Sequence, residues 1–188
     1  MSGAVPVVNN GEHGTKPGLV CHDRGMSCYV LTRNLWSLGD AFIVSEAKSG
    51  RECFRVNGKA LGVGDKLSLE DPEGNEVAFI RQGLHLGLQG LSYEISRAGQ
   101  LAGRVNLSSR LRQHLMIETP DPGHLEAAGD ILGMDYQISY DGQQVASVST
   151  QGTLGGGSYG VDVAAGQDPV CILALAITIE TIHHQQGG

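Results

Sequence analysis

A mainly β fold is predicted here: a closed antiparallel barrel of about twelve strands around one central hydrophobic C-terminal α-helix. Three observations predict it. Short stretches of apolar–polar alternation recur along most of the chain. Glycines return between them at a nearly constant interval, and the only long apolar run comes at the end. Alternation with period two gives a strand with one buried face and one wet face, as in antiparallel sheet. The terminal run has no wet face, so it must be surrounded by something else.

Residues 1–27 are expected to form a flexible leader, because Asn9-Asn10-Gly11, Gly14, Pro17-Gly18 and Arg24-Gly25 break any periodicity. The domain is expected over 28–188, a length that suits one real core. Its strands show as Leu67 and Leu69, as Tyr93 and Ile95, as Tyr136, Ile138 and Tyr140, and as Tyr159, Val161 and Val163, each alternating with other residues. Turn glycines Gly50, Gly74, Gly99, Gly123, Gly142 and Gly166 stand 24, 25, 24, 19 and 24 residues apart. Most of these steps are one hairpin plus its connection. Asp71-Pro72-Glu73-Gly74-Asn75 and Asp141-Gly142 are strong turn sequences. The stretch from Leu38 through Asp40 to Val44 is echoed from Val63 through Asp65 to Leu69, and each copy runs into a glycine turn and a second strand. A repeated two-strand unit suits a barrel or propeller, and no blade signature accompanies it.

The closing segment is expected to be a helix over about 168–185. Asp168 can accept an orphan backbone N–H, Pro169 at the first position loses nothing, and Gly187 provides a stop. Val170 to Ile177 contains no polar residue. The run is shorter than the ~20 residues a membrane span needs, so protein should surround it. The β-branched residues Val170, Ile172 and Ile177 make a strand the rival reading, but the capping pair and the length favour a helix. A barrel of about a dozen strands is wide enough to hold one.

The net charge of −7 hides an asymmetry, since all 13 Lys and Arg lie at or before Arg112 while acidic residues continue to Glu180. Arg97, Arg104, Arg110 and Arg112 share a stretch with no Asp or Glu. These four have two readings: partners of the acidic C-terminal half, or contacts to an anionic ligand. A sequence pI near 5.4 and the lack of an aromatic platform argue against nucleic acid. No signal sequence or spanning segment is evident, so a cytoplasmic location is expected, peripheral at a membrane if lipid is the ligand. Cys21, Cys28, Cys53 and Cys171 are scattered and need no disulfide there.

Enzyme chemistry is not visible. There is no Gly-x-Ser-x-Gly elbow; Gly157-Ser158-Tyr159-Gly160 is a turn entering a strand, and Gly155-Gly156-Gly157 lacks the Lys and helix start of a phosphate loop. Asp71 and Glu73 sit in a turn. His183 and His184 are consecutive on the helix and diverge, which suits a helix C-terminus rather than a metal. Cys21, His22 and Cys28 are too loose for zinc. No metal or cofactor is expected. Trp36 suits a barrel end or a lipid interface, and the apolar, glycine-rich run from Gly83 to Leu91 suits a strand with its connection or a rim loop.

The residues from Tyr29 through Trp36 to Val44 resemble the opening of the LURP-one-related family. The stretches Gly50-Arg51-Glu52-Cys53-Phe54-Arg55-Val56 and Gly64-Asp65-Lys66-Leu67-Ser68-Leu69 continue the resemblance, which covers roughly 29–184. It implies the Tubby C-terminal-like fold, a twelve-stranded barrel threaded by a hydrophobic helix. Tubby domains, which bind phosphoinositides, and phospholipid scramblases share that fold. The cysteine-rich and calcium-binding segments of scramblases are absent, and no stretch matches the basic Tubby motif, so no site is carried over. The expected protein is a non-enzymatic binding or scaffold protein. Its first expected partner is an anionic phospholipid headgroup, its second a protein with no lipid role. A scramblase-like or nucleic-acid-associated role ranks third.

Overall fold

A computed structural model of the chain describes residues 25–34, 41–58, 66–83, 92–106, 114–120, 123–150 and 157–186. Twelve strands precede one helix. They are β1 (Ser27–Asn34), β2 (Ala41–Glu46), β3 (Glu52–Gly58), β4 (Lys66–Glu70), β5 (Glu76–Gly83) and β6 (Ser92–Arg97), then β7 (Gln100–Asn106), β8 (His114–Glu118), β9 (Leu125–Asp130), β10 (Asp135–Tyr140), β11 (Gln143–Ser149) and β12 (Ser158–Val163). The helix α1 spans Pro169–Gln186.

Each strand pairs antiparallel with its neighbours in sequence, and β1 pairs with β12 to close the barrel. Odd strands therefore run toward one rim and even strands toward the other. The helix starts after β12, an even strand, and runs back in the direction of the odd strands. We call the rim where it starts lower and the opposite rim upper. All six turn glycines singled out by their spacing fall in lower-rim connections. A step of about one strand pair returns the chain to the same rim, so the glycine rhythm marks one end of the barrel. Gly74 and Gly166 have φ of +85° and +81°, a conformation only glycine adopts without strain.

Four of the five lower-rim hairpins, β2–β3, β4–β5, β6–β7 and β10–β11, carry a register shift beside the turn. Such bulges increase local twist and help a sheet curl closed. The exception is β8–β9, whose Gly123 faces a different constraint: a Cβ there would run into the Tyr140 ring. The echoed units are the β2–β3 and β4–β5 hairpins. In the first strand of each, Phe42 with Val44 and Leu67 with Leu69 point inward and are buried.

The core is the helix plus the inner face of every strand. Leu173, Ala174, Leu175, Ala176, Ile177 and Ile179 are buried on all sides of the helix, which has no wet face to orient it. Thr178 and Thr181 are buried too, and each hydroxyl donates to the carbonyl four residues back, Ala174 and Ile177, at 2.8 Å. That bonding removes the cost of an unsatisfied hydroxyl in the core. Asp168 caps the helix as its sequence suggests, with Oδ1 accepting the Val170 N–H at 3.0 Å. His183 and His184 lie in the last turn, the first half-buried and the second exposed. Among the described residues no helix is long and apolar enough to cross a membrane.

One expectation is corrected: Cys28, buried at the foot of β1, is disulfide-bonded, while Cys53 and Cys171 are free. The other half of that bond lies outside the described residues, where strand alternation and turn patterns give no warning of it.

Candidate functional site

The outer wall over β4 to β8 concentrates charge. Outward positions there follow from the inward ones: Leu67 and Leu69 face the core, so Lys66 faces out, and the same parity places Arg81, Glu94 and Arg104 outside. Register then lines them up. Lys66 stands opposite Arg81, Arg81 opposite Glu94, Glu94 opposite Arg104, and Arg104 opposite Glu118. Neighbouring strands are ~4.8 Å apart, so the row crosses five strands in about 20 Å.

Hydrogen bonds follow the row. Arg81 Nη2 donates to Glu94 Oε2 at 2.6 Å, and Arg104 Nη2 donates to Glu94 Oε1 at 2.8 Å. Arg104 Nη1 reaches Glu118 Oε2 at 3.4 Å, and the Asn106 amide donates to Glu118 Oε1 at 2.7 Å. Glu94 is thus held by one arginine on each side. Its carboxyl lies below the usual range, chiefly through the hydrogen bond from Arg81 and then that from Arg104. The Arg104 guanidinium is pushed up in return, mainly by its bond to Glu94. Lys66 and Arg81 are like charges directly opposite each other, and Arg81 turns to Glu94 on its other side.

The four arginines singled out in sequence do not share one place. Arg104 belongs to the charged row, toward the upper rim. Arg97 ends β6 at the lower rim and pairs with the Asp168 carboxylate that caps α1. That contact ties the β6–β7 hairpin to the helix start. Arg110 and Arg112, between β7 and β8 in sequence, lie outside the described residues. Trp36, the run 84–91 and the leader residues Cys21 and His22 are also outside them. Sequence reasoning missed Lys66, Arg81 and Glu94. Strand parity marks each as outward, but the bulge in β4–β5 offsets the pairing by one residue, and nothing in the sequence fixes that offset.

A second polar group lies inside the barrel near the upper rim. Arg33 Nη1 is 3.6 Å from Glu180 Oε1 on the helix, with both side chains largely buried. The Tyr136 and Tyr159 hydroxyls are buried nearby, and neither makes a hydrogen bond among the described residues. Burial, then the Glu180 charge, pushes both phenols well above their ordinary range. Neither tyrosine acts as an acid or base near neutrality. Among the described residues no group of three or more His, Cys, Asp or Glu is placed to hold a metal.

Comparison with known proteins fits this architecture. The chain is 27% identical over 153 residues to Uncharacterized protein YxjI of Bacillus subtilis (strain 168), covering 81% of this chain and 91% of that protein. It superposes on the X-ray structure of a protein from Arabidopsis thaliana with a TM-score of 0.63 at 17% identity, covering 84% of this chain and 91% of that one. At that identity the second likeness speaks for the fold alone. The LURP-one-related profile matches residues 27–180, essentially the barrel and most of its helix, and the chain belongs to the LURP-one-related family.

Proposed function

We propose that this chain is a non-enzymatic binding protein that recognises anionic phospholipid headgroups at a membrane surface, through the outer wall toward the upper rim. The observation that carries this reading is the row in which Lys66, Arg81 and Arg104 face outward on neighbouring strands with Glu94 between them. Arg110 and Arg112, singled out in sequence, lie outside the described residues and follow β7 in the chain. Arg97, bound at the helix start, contributes to the fold instead. The protein is then peripheral, attracted to an anionic leaflet by about 1 kcal/mol per basic residue near the surface. A handful of such contacts gives modest, salt-sensitive affinity.

A second reading is a protein-interaction module, favoured by Leu101 and Met116, which are 41% and 48% exposed on the adjacent strands β7 and β8. Liposome co-sedimentation separates the two. Phosphatidylcholine vesicles with and without phosphatidylserine are compared at low and physiological salt, using the unmodified chain and Arg81→Glu/Arg104→Glu. Binding to anionic vesicles only, fading with salt and lost in the double variant, is expected. No binding at low salt would discard the lipid reading and leave the apolar side chains of β7 and β8 as the surface to pursue.

A further inference from the structure

We propose that Arg81 and Arg104 form one phosphate-class anion site and that Glu94 is its built-in occupant, which weak anions do not displace. The inference rests on the headgroup reading and deepens it. It starts from register. Arg81 on β5 and Arg104 on β7 are both directly opposite Glu94 on β6, so the three side chains stand in line across the sheet. Two guanidiniums on alternate strands are ~10 Å apart at the backbone, close enough for their long side chains to converge on one small anion. They do converge: each gives its Nη2 to a different oxygen of the same carboxylate, at 2.6 and 2.8 Å.

A carboxylate fills such a fork incompletely. It brings one charge and two oxygens, whereas a phosphate monoester brings up to two charges and three acceptor oxygens, and arginine forks match phosphate geometry well. The site also faces outward. The Arg81 side chain is 57% exposed and that of Glu94 22%, so an incoming anion meets the guanidinium edge before it meets the carboxylate. Arg81 and Arg104 share Glu94 between them, so neutralising Glu94 removes the one carboxylate that both guanidiniums hold. Glu118 is the weaker competitor, since of the two arginines it reaches Arg104 alone, at 3.4 Å, its other oxygen accepts from the Asn106 amide, and it is 59% exposed. Glu94 therefore sets a threshold: a singly charged carboxylate or sulfonate gains nothing by replacing it, and a more highly charged phosphate does.

The test compares the unmodified chain, Glu94→Gln, Glu118→Gln and Arg81→Glu/Arg104→Glu. The probes are inorganic pyrophosphate, by calorimetry, and vesicles of phosphatidylcholine with or without phosphatidic acid, by co-sedimentation. Glu94→Thr, a residue suited to a strand, serves as a second neutral variant, and each variant is first shown to melt cooperatively. Neutralising Glu94 is expected to tighten binding about fivefold, roughly the worth of one exposed ion pair. Glu118→Gln should tighten it less, and the double arginine variant should abolish it. A gain for both probes, or for one of them, supports the fork; the probe that gains shows whether a lipid headgroup or a free phosphate compound is the natural source. Binding that is unchanged in both Glu94 variants but lost in the arginine variant overturns the inference and leaves the headgroup reading standing. No binding of either probe by the unmodified chain or the Glu94 variants removes both.

Discussion

The two rims of the barrel are built differently, although the same twelve strands end at both. The lower rim is closed by short turns with positive-φ glycines, by four bulges set beside those turns, and by the contact between Arg97 and Asp168 at the helix cap. At the upper rim most connections are longer, and polar groups enter the barrel itself: Arg33 and Glu180 pair there beside two buried phenols. The lower rim is where local sequence rules hold best, since turn and cap each need particular residues within a few positions. The upper rim is held by contacts between residues far apart in sequence, such as Arg33 and Glu180. A barrel made this way has one end fixed largely by local chemistry and another held by long-range contacts.

That contrast can be broken or sharpened by measurement, beginning with the helix both rims share. Deleting residues 168–188 should leave a chain without cooperative unfolding, because the buried helix is the barrel's central packing. Near-UV circular dichroism would show it, and a soluble truncation with a sharp melt would refute the central role of α1. A single cavity acts less strongly: Ile177→Ala, at a fully buried position, should cost about 2–4 kcal/mol in urea unfolding.

One substitution made at both rims compares them directly. At the upper rim, Gly129 has φ +131°, and a Cβ there would lie 2.9 Å from the Asp135 carbonyl oxygen and the Tyr136 Cα. Backbone cannot move aside cheaply, so Gly129→Ala should cost about 2–3 kcal/mol. At the lower rim, Gly74 has φ +85° but nothing within 4 Å of that position, so Gly74→Ala should cost only about 1 kcal/mol of backbone strain. Equal losses would erase the distinction.

Charge provides a gentler probe. The folded pKa of Glu94 is depressed, so its contribution to stability is present above its unfolded pKa and is lost as pH falls through the folded value. Urea midpoints measured from neutral pH down into the acid range should fall less steeply for Glu94→Gln than for the unmodified chain. The smallest effect is expected from Tyr136→Phe. Its hydroxyl is buried with no hydrogen bond among the described residues, so removing it should leave stability unchanged or slightly higher. A loss beyond about 1 kcal/mol would mean that the hydroxyl is bonded after all.

Most of the architecture was legible in advance because it depends on local pattern. Tyr93 and Ile95 alternate with polar neighbours, and both are buried; Asp168 and Pro169 read as a helix start, and they are one. The candidate site was only partly legible. Arg104 was found by its charge, but so was Arg97, and the two lie toward opposite rims with different partners. Adjacency in sequence along β6 and β7 says nothing of height in the barrel, because the chain reverses at Ala98 and Gly99. Lys66, Arg81 and Glu94 each looked like an ordinary charge on the wet face of a strand.

By itself, then, the sequence determined the strands, the rhythm of turns that brings six glycines to one rim, and a helix too apolar to remain outside the barrel. Each follows from the period of burial or from the φ a residue can adopt, which act over a few positions. Only the tertiary structure decided which charges meet. Arg81, Glu94 and Arg104 are 13 and 10 residues apart along the chain, and their alignment depends on register. A bulge shifts register by one residue, so which outward charges stand opposite one another is decided by the pairing of whole strands.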